Sequence, residues 1–426
     1  MSNTSAVGGA IFIGSLVLLL ARPNRVPDWA PTLGGGLMLV LVGVLPPAEA
    51  LDELAASWNL FLFLLGLGLS AASADRAGVF RAAAEAAARL GRGSQTRLFV
   101  SLYAAGVVTT AVLSNDATAL LLTPVAFAVT TRLGLDPRPY AFACALVANA
   151  ASFVLPVSNP ANLLVLSRAP LPLGAFLARL LLPSVLAITL TLAGLLVVFR
   201  KELAAPFELP SNAPGRLHRR TAISLGGLAG LTVLYLVASA LGWPLGAVAT
   251  AGAMLLVLLD VLVAGWQPRA LLHGVPWTLF PLLAGLLLLV GGAERIDFVA
   301  PFVRWLEASA GFGVAGLPVA SLGMAALANV LNNLPAALVA ASALGSLSPG
   351  IERSDLAAAV IVGVNLGPNL TTIGSLATML WLMLVQRSGL EVSALMYFRV
   401  GVVTTVPALL FAAAGLWIAA RVIGGA

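Results

Sequence analysis

The sequence predicts an all-α polytopic membrane protein. It should hold two inverted-topology repeats, each with a re-entrant helical hairpin and a broken transmembrane helix, or about ten spans plus two hairpins. Three observations predict this. Of 426 residues, 60% are apolar and 9% are charged, where a soluble domain carries roughly 25% charged residues, and mean hydropathy is +1.02. Several continuous apolar runs approach or exceed the ~20 residues that cross a bilayer core. They do not alternate, which excludes a transmembrane barrel. Finally, two halves of the chain echo each other, and each carries Pro- and Asn-containing breaks inside apolar stretches.

In chain order, spans are expected at 7–21, 32–46, 57–74, 139–168, 174–199, 221–241, 245–264, 277–292, 355–386 and 394–420. The N-terminal run lacks a basic leader region and reads as a first span, not a cleaved signal. The stretches 98–131 and 313–346 are each long enough to cross twice, but polar clusters interrupt them: Ser114-Asn115-Asp116 and Asn332-Asn333-Leu334-Pro335. Both are expected to dip to mid-membrane and return.

Loop charge sets the sides. Segment 75–97 carries Arg76, Arg81, Arg89, Arg92 and Arg97, and segment 200–220 carries Arg200, Lys201, Arg216, Arg219 and Arg220. Both should be cytoplasmic. The acidic loops 46–57 and 293–312 should face outward. The Arg-bearing helix expected within 75–97 should lie on the inner membrane surface.

The repeat shows in Trp58-Asn59-Leu60-Phe61 and Trp277-Thr278-Leu279-Phe280, 219 residues apart, and in Asn115 and Asn333, 218 apart. Each half then reaches a second break, at Pro156–Asn162 and at Gly367–Thr378. The charge rule puts Asp75-Arg76 inside and Glu294-Arg295 outside, so the halves are inverted. The expected organisation is N-terminal spans at 1–56, repeat 1 at 57–199, a cytoplasmic loop at 200–220, linking spans at 221–276 and repeat 2 at 277–426. Broken helices free backbone groups that cannot face lipid, so the four breaks should line one polar site at the midplane.

Composition narrows the chemistry. One Cys, Cys144, forbids an intramolecular disulfide, and Cys144 with two His cannot build a usual zinc site. Lys201 is the one Lys and stands outside any Gly-Lys-Ser/Thr context, so the chain has no P-loop. A net charge of +6 reflects cytoplasmic Arg, not nucleic-acid binding. No enzymatic activity and no cofactor is expected. Asp116 is the one acid between Leu98 and Thr131, and a carboxyl group at membrane depth is placed to carry a proton or cation. It could equally cap the returning half of its hairpin. Ser114, Asn115, Asn332 and Asn333, with Ser158, Asn159, Asn162, Ser375 and Thr378, are candidate solute ligands. Capping and helix packing are their alternative roles. Asn149, Asn365 and Asn369 fit helix packing equally well, and Asp260 is expected to flank the inner end of a span.

Ser114-Asn115-Asp116-Ala117-Thr118-Ala119-Leu120-Leu121-Leu122-Thr123-Pro124, Ser158-Asn159-Pro160-Ala161-Asn162 and the run Leu366–Trp381 resemble the arsenite efflux permeases of the ArsB type, within the ion-transporter superfamily of ArsB/NhaD-like permeases. The resemblance implies efflux of arsenite or antimonite across the inner (plasma) membrane, in exchange for protons. It also implies that a soluble ATPase of the ArsA type can assist. Asn365 stands where the family usually has an acid, Asn369 where Lys is common and Thr372 where Pro is common. A sodium/proton antiporter or anion carrier of the same superfamily is the alternative.

Overall fold

The computed structural model describes residues 3–21, 26–27, 29–207, 218–265, 269, 271–272 and 275–424. The described residues are helices and short connections. Glu208 and Arg216 of the basic loop lie outside them.

The N-terminal part holds α1 (Asn3–Ala21), α2 (Trp29–Leu41) and the short α3 (Pro47–Ala56), and α4 (Trp58–Arg76) and α5 (Val79–Gly91) follow. The first hairpin is α6 (Gln95–Val112), α7 (Asn115–Ala117), a π-turn at Thr118–Leu122 and α8 (Thr123–Arg132). The broken helix is α9 (Arg138–Ala150) and α10 (Pro160–Arg168), followed by α11 (Leu173–Val198). After the basic loop come α12 (Arg219–Ala240) and α13 (Leu245–Ala264), then α14 (Leu279–Arg295) and α15 (Ala300–Gly311). The second hairpin is α16 (Gly316–Leu331) and α17 (Asn333–Gly345), the second broken helix α18 (Arg353–Leu366) and α19 (Leu376–Arg387), and the last helix α20 (Ala394–Gly424).

Three helix starts share one offset between the halves, within the 215–221 spread of the other corresponding starts. Asn3 and Arg219, Trp29 and Leu245, and Pro160 and Leu376 are each 216 residues apart. The correspondence therefore takes in α1–α2 and α12–α13 as well as the segments first matched. Packing follows it: α4 lies along α13, and its counterpart α14 lies along α2. The long helices α11 and α20 pack on each other, which puts the symmetry partners on the pseudo-two-fold axis. Gly194 and Gly415, 221 apart, open that seam. A Cβ on Gly194 would stand 2.8 Å from Thr404 Cα, and one on Gly415 2.8 Å from Leu186 Cδ1.

Among the described residues, six helices are individually long and apolar enough to cross a bilayer. Between α14 and α15 the chain turns by 83°. After α4 it turns at Gly78, whose φ of 73° favours glycine. Helix α5 buries Val79, Phe80 and Ala87 and exposes Arg81 and Arg89, an interfacial pattern.

The two ends of the molecule differ. At one end the Phe207 amide donates to Gly93 O at 2.9 Å, and Thr96 Oγ1 donates to Leu203 O at 3.0 Å. The segments expected to share the cytoplasmic side are thus in contact. At the other end Arg295 pairs with Glu49, and Arg168 pairs with Glu53 at 3.2 Å. Asp260, expected to flank a span, is instead buried. Arg76 Nε at 3.0 Å and Arg220 Nε at 2.7 Å hold its two oxygens and tie α4, α12 and α13 together.

Candidate functional site

Each of the four half-helices that start at a break begins on a short polar side chain. Ser114 Oγ accepts from the Ala117 amide at 3.2 Å, and Asn159 Oδ1 accepts from the Ala161 amide at 2.9 Å. Asn332 Oδ1 accepts from the Leu334 amide at 3.4 Å, and Ser375 Oγ accepts from the Thr378 amide at 3.1 Å. These caps satisfy backbone donors that Pro160, Pro335 and the chain breaks leave in an apolar interior. Capping is thus one real role of four of the predicted ligands.

Each hairpin tip is bonded to the break of its own repeat. Ser158 Oγ donates to Ala111 O at 3.1 Å, joining break 1 to hairpin 1. The Asn333 amide donates to Gly374 O at 2.8 Å, and Asn332 Nδ2 donates to Ile373 O at 3.0 Å, joining break 2 to hairpin 2. Asn332 holds φ 76° and ψ 155°, a strained conformation for a residue with a Cβ; such positions cost about 1–3 kcal/mol and cluster at functional sites. In hairpin 1 the irregularity is the π-turn, where Thr118 Oγ1 lies 3.0 Å from Ser114 O and 2.8 Å from Thr110 Oγ1.

The two breaks are bonded to each other. Asn365 Nδ2 donates to Asn162 Oδ1 at 2.8 Å, Asn159 Nδ2 donates to Asn365 Oδ1 at 2.7 Å, and Ser152 Oγ donates to the same oxygen. Asn149 Nδ2 donates to Thr378 Oγ1 at 3.2 Å and to Asn369 Oδ1 at 2.9 Å. Asn149 and Asn365 are 216 residues apart, as are Asn162 and Thr378. The braces are therefore symmetry-related: each first half-helix reaches the second half-helix of the other repeat. From sequence, Asn149, Asn365 and Asn369 fit helix packing equally well; the 216-residue register pairs Asn149 with Asn365, whereas Asn369 falls opposite Phe153 and carries no such signal. Asn329 was also missed. Its Nδ2 donates to Gly367 O at 2.8 Å, and its Oδ1 accepts from Thr371 Oγ1 at 2.8 Å.

Within this network some buried amide atoms find no partner among the described residues. Asn115 is 1% exposed and neither its Oδ1 nor its Nδ2 has a hydrogen-bond partner among the described residues. Asn333, its equivalent, is 2% exposed and its Oδ1 is likewise unpartnered. Buried amides left this way cost about 1–3 kcal/mol each. Short α7, which carries Asn115, packs against α9 and α19. Asn149 at the end of α9 leaves its own Oδ1 unpartnered. Amide donors and acceptors with no fixed charge suit a small, polar, uncharged solute.

Asp116 faces elsewhere. With Ser114 it lines a cavity of about 40 Å³ whose other walls are Leu64, Leu67, Gly68, Ala71, Pro160, Pro276 and Leu279. A larger cavity of about 1110 Å³ reaches Pro156 of break 1 and Ser342 of α17 from the Glu49 end. Its charged lining is Glu49, Asp52, Glu53 and Glu294 against Arg168. Among the described residues no cluster of His, Cys, Asp and Glu could hold a metal ion, and Cys144 is a buried free thiol.

Known proteins match this architecture end to end. The chain is 29% identical over 423 residues to the arsenical pump membrane protein of Escherichia coli K12, covering 96% of this chain and 98% of that one. It is 28% identical over 426 residues to the arsenical pump membrane protein of Yersinia enterocolitica, with the same coverage. In structure it resembles the YdaH transporter of Alcanivorax borkumensis, described as having an unusual topology, at a TM-score of 0.57, 17% identity and 98% coverage of both chains. The pattern of the citrate transporter family, CitMHS, matches residues 16–363. A chain so matched, with apolar helices arranged as inverted halves around interrupted hairpins, is a multi-pass membrane transporter, and it belongs to the citrate transporter family.

Proposed function

We propose that this protein exports arsenite or antimonite, as the neutral trivalent hydroxide, across the cytoplasmic membrane in exchange for protons. The observation that carries the reading is at the two hairpin tips, where both amide atoms of Asn115 and the Oδ1 of Asn333 are buried without a hydrogen-bond partner among the described residues. Arsenious acid presents three hydroxyls, each able to donate and accept, and an amide offers both complements. The arsenical pump relatives support the substrate class.

The family description points to citrate, but the chemistry here does not suit a tricarboxylate. No Arg, Lys or His stands among the tips and breaks, at 114–118, 149–162, 332–335 and 365–378, where the one charged side chain is the acid Asp116. An anion entering from the Glu49 end would also meet a cavity in which acids outnumber bases. Binding a neutral solute in a thiol-poor pocket permits release, which an exporter requires.

A neutral solute gains nothing from membrane voltage. Exchange for one proton makes the cycle electrogenic, worth roughly 2.3 kcal/mol per 100 mV. Asp116 is the candidate proton carrier, because it is the one acid at a hairpin tip and borders a cavity with room for water. A separate soluble ATPase would be an additional energy source. The test is uptake into everted vesicles carrying the protein. Arsenite should accumulate when a proton gradient is imposed, and citrate should stay outside. Gradient-driven citrate uptake without arsenite uptake would reverse the assignment.

A further inference from the structure

Asn365 is completely buried and uses the full hydrogen-bonding capacity of its amide. Its Oδ1 accepts from Asn159 Nδ2 and Ser152 Oγ, and its Nδ2 donates to Asn162 Oδ1 and, at 2.7 Å, to Ile361 O. The orientation is dictated from outside. Asn162 Nδ2 donates to Ser152 O at 2.8 Å, which turns its oxygen toward Asn365. Asn159 Oδ1 is held by the Ala161 amide, which turns its nitrogen toward Asn365. Position 365 must therefore donate on one side and accept on the other. Its symmetry mate Asn149 makes the equivalent brace but leaves Oδ1 unpartnered.

From this geometry we infer that Asn365 is the positioning residue that clamps the two helix breaks together for transport, and that its carboxamide keeps the clamp independent of pH. An ionised carboxylate at 365 would lose both donated bonds and set an acceptor against Asn162 Oδ1 and Ile361 O. A protonated carboxyl would keep one donor. No charged group faces position 365 in the clamp. Hairpin 2 (α16–α17) and the break segment 367–375 carry none. On the other elements packed against it, Arg179 of α11 pairs with Asp355 at the far end of α18, ten residues or about 15 Å away along the helix. Arg138 begins α9, Arg168 of α10 pairs with Glu53, and Arg399 of α20 is exposed. Asp116 on the hairpin 1 tip borders its own cavity beside α4.

The inference rests on the transport reading, so its test has an arm that needs no substrate. Asn365→Asp, Asn365→Leu and the wild type are compared from pH 5 to pH 9 by thermal unfolding of the purified protein and by arsenite uptake into everted vesicles. Uptake is normalised to the wild type at each pH. Asn365→Asp should approach wild-type behaviour at low pH and fall about tenfold or more in uptake as pH rises, with a parallel drop in its unfolding midpoint. Asn365→Leu should be impaired equally at every pH. Asn159→Asp places the same acid on the opposite side of the clamp and should show the same pH dependence, which covers the case that the first variant does not accumulate. Where the wild type moves arsenite, uptake by both Asp variants that tracks it across the range would overturn the inference, whatever the unfolding midpoints do. If the wild type moves no arsenite while the Asp variants lose stability with pH, the substrate assignment falls and the clamp stands.

Discussion

Replacing Asn115 by Leu separates a ligand from a structural residue by the sign of its effect. Leu branches at the same atom as Asn and has no polar atoms, although its methyl groups are bulkier than the planar amide. Both amide atoms of Asn115 are buried without partners among the described residues, so their removal relieves a desolvation cost of about 1–3 kcal/mol per group. The variant should unfold at the same temperature as the wild type or higher. Transport should move the opposite way. If the amide makes two hydrogen bonds to the solute at about 1 kcal/mol each, their loss is about 2 kcal/mol, near a thirtyfold rise in KM for arsenite. The assay pairs thermal unfolding of detergent-purified protein with the concentration dependence of arsenite uptake. Asn159→Leu is the control. It breaks the cap on Ala161 and the bond to Asn365, so it should lower the unfolding temperature. A destabilised Asn115→Leu protein with an unchanged KM would refute the reasoning, because Asn115 would then be holding the hairpin together.

Three further outcomes follow from the geometry. Asp116→Asn keeps shape and polarity but cannot titrate, so gradient-driven arsenite accumulation should disappear while arsenite exchange persists; uphill uptake at the wild-type rate and pH dependence would remove Asp116 from the proton path. Asp260→Ala leaves Arg76 and Arg220 facing each other without their anion and should cost about 3–5 kcal/mol of stability, read by unfolding, with little change in KM. In a Cys144→Ser background, single cysteines at Arg89 should label from the cytoplasmic side, and those at Glu49 and Glu307 from outside; labelling of position 89 from outside would invert the topology.

The parts of the site legible in the sequence are those with a local signature. Ser114, Asn159, Asn332 and Ser375 sit immediately before half-helices, and a polar cap beside Pro or a break inside an apolar run identifies itself. Asn115 and Asn333 come with them by adjacency. The braces are different. Asn149 and Asn365 are single amides in otherwise apolar helices, and each finds its partner more than 200 residues away. Nothing within a window of one helix distinguishes such an Asn from one that packs quietly against a neighbour. Only the 216-residue register does so, by placing Asn149 over Asn365 and Asn162 over Thr378. The same limit hid the partners of Asp260, 184 and 40 residues away. It also hid the equivalence of α1–α2 with α12–α13, whose apolar sequences are too uniform to align by eye.

The central claim is that hairpin-tip amides, not a thiol, hold the trivalent metalloid. Antimony scatters X-rays anomalously, so diffraction from the protein crystallised with antimonite locates the atom without interpretation of the surrounding chain. The account predicts an anomalous peak within hydrogen-bonding reach of the Asn115 amide, which the Asn115→Leu variant loses. A peak on Cys144 alone, or one that persists in the variant, would contradict it.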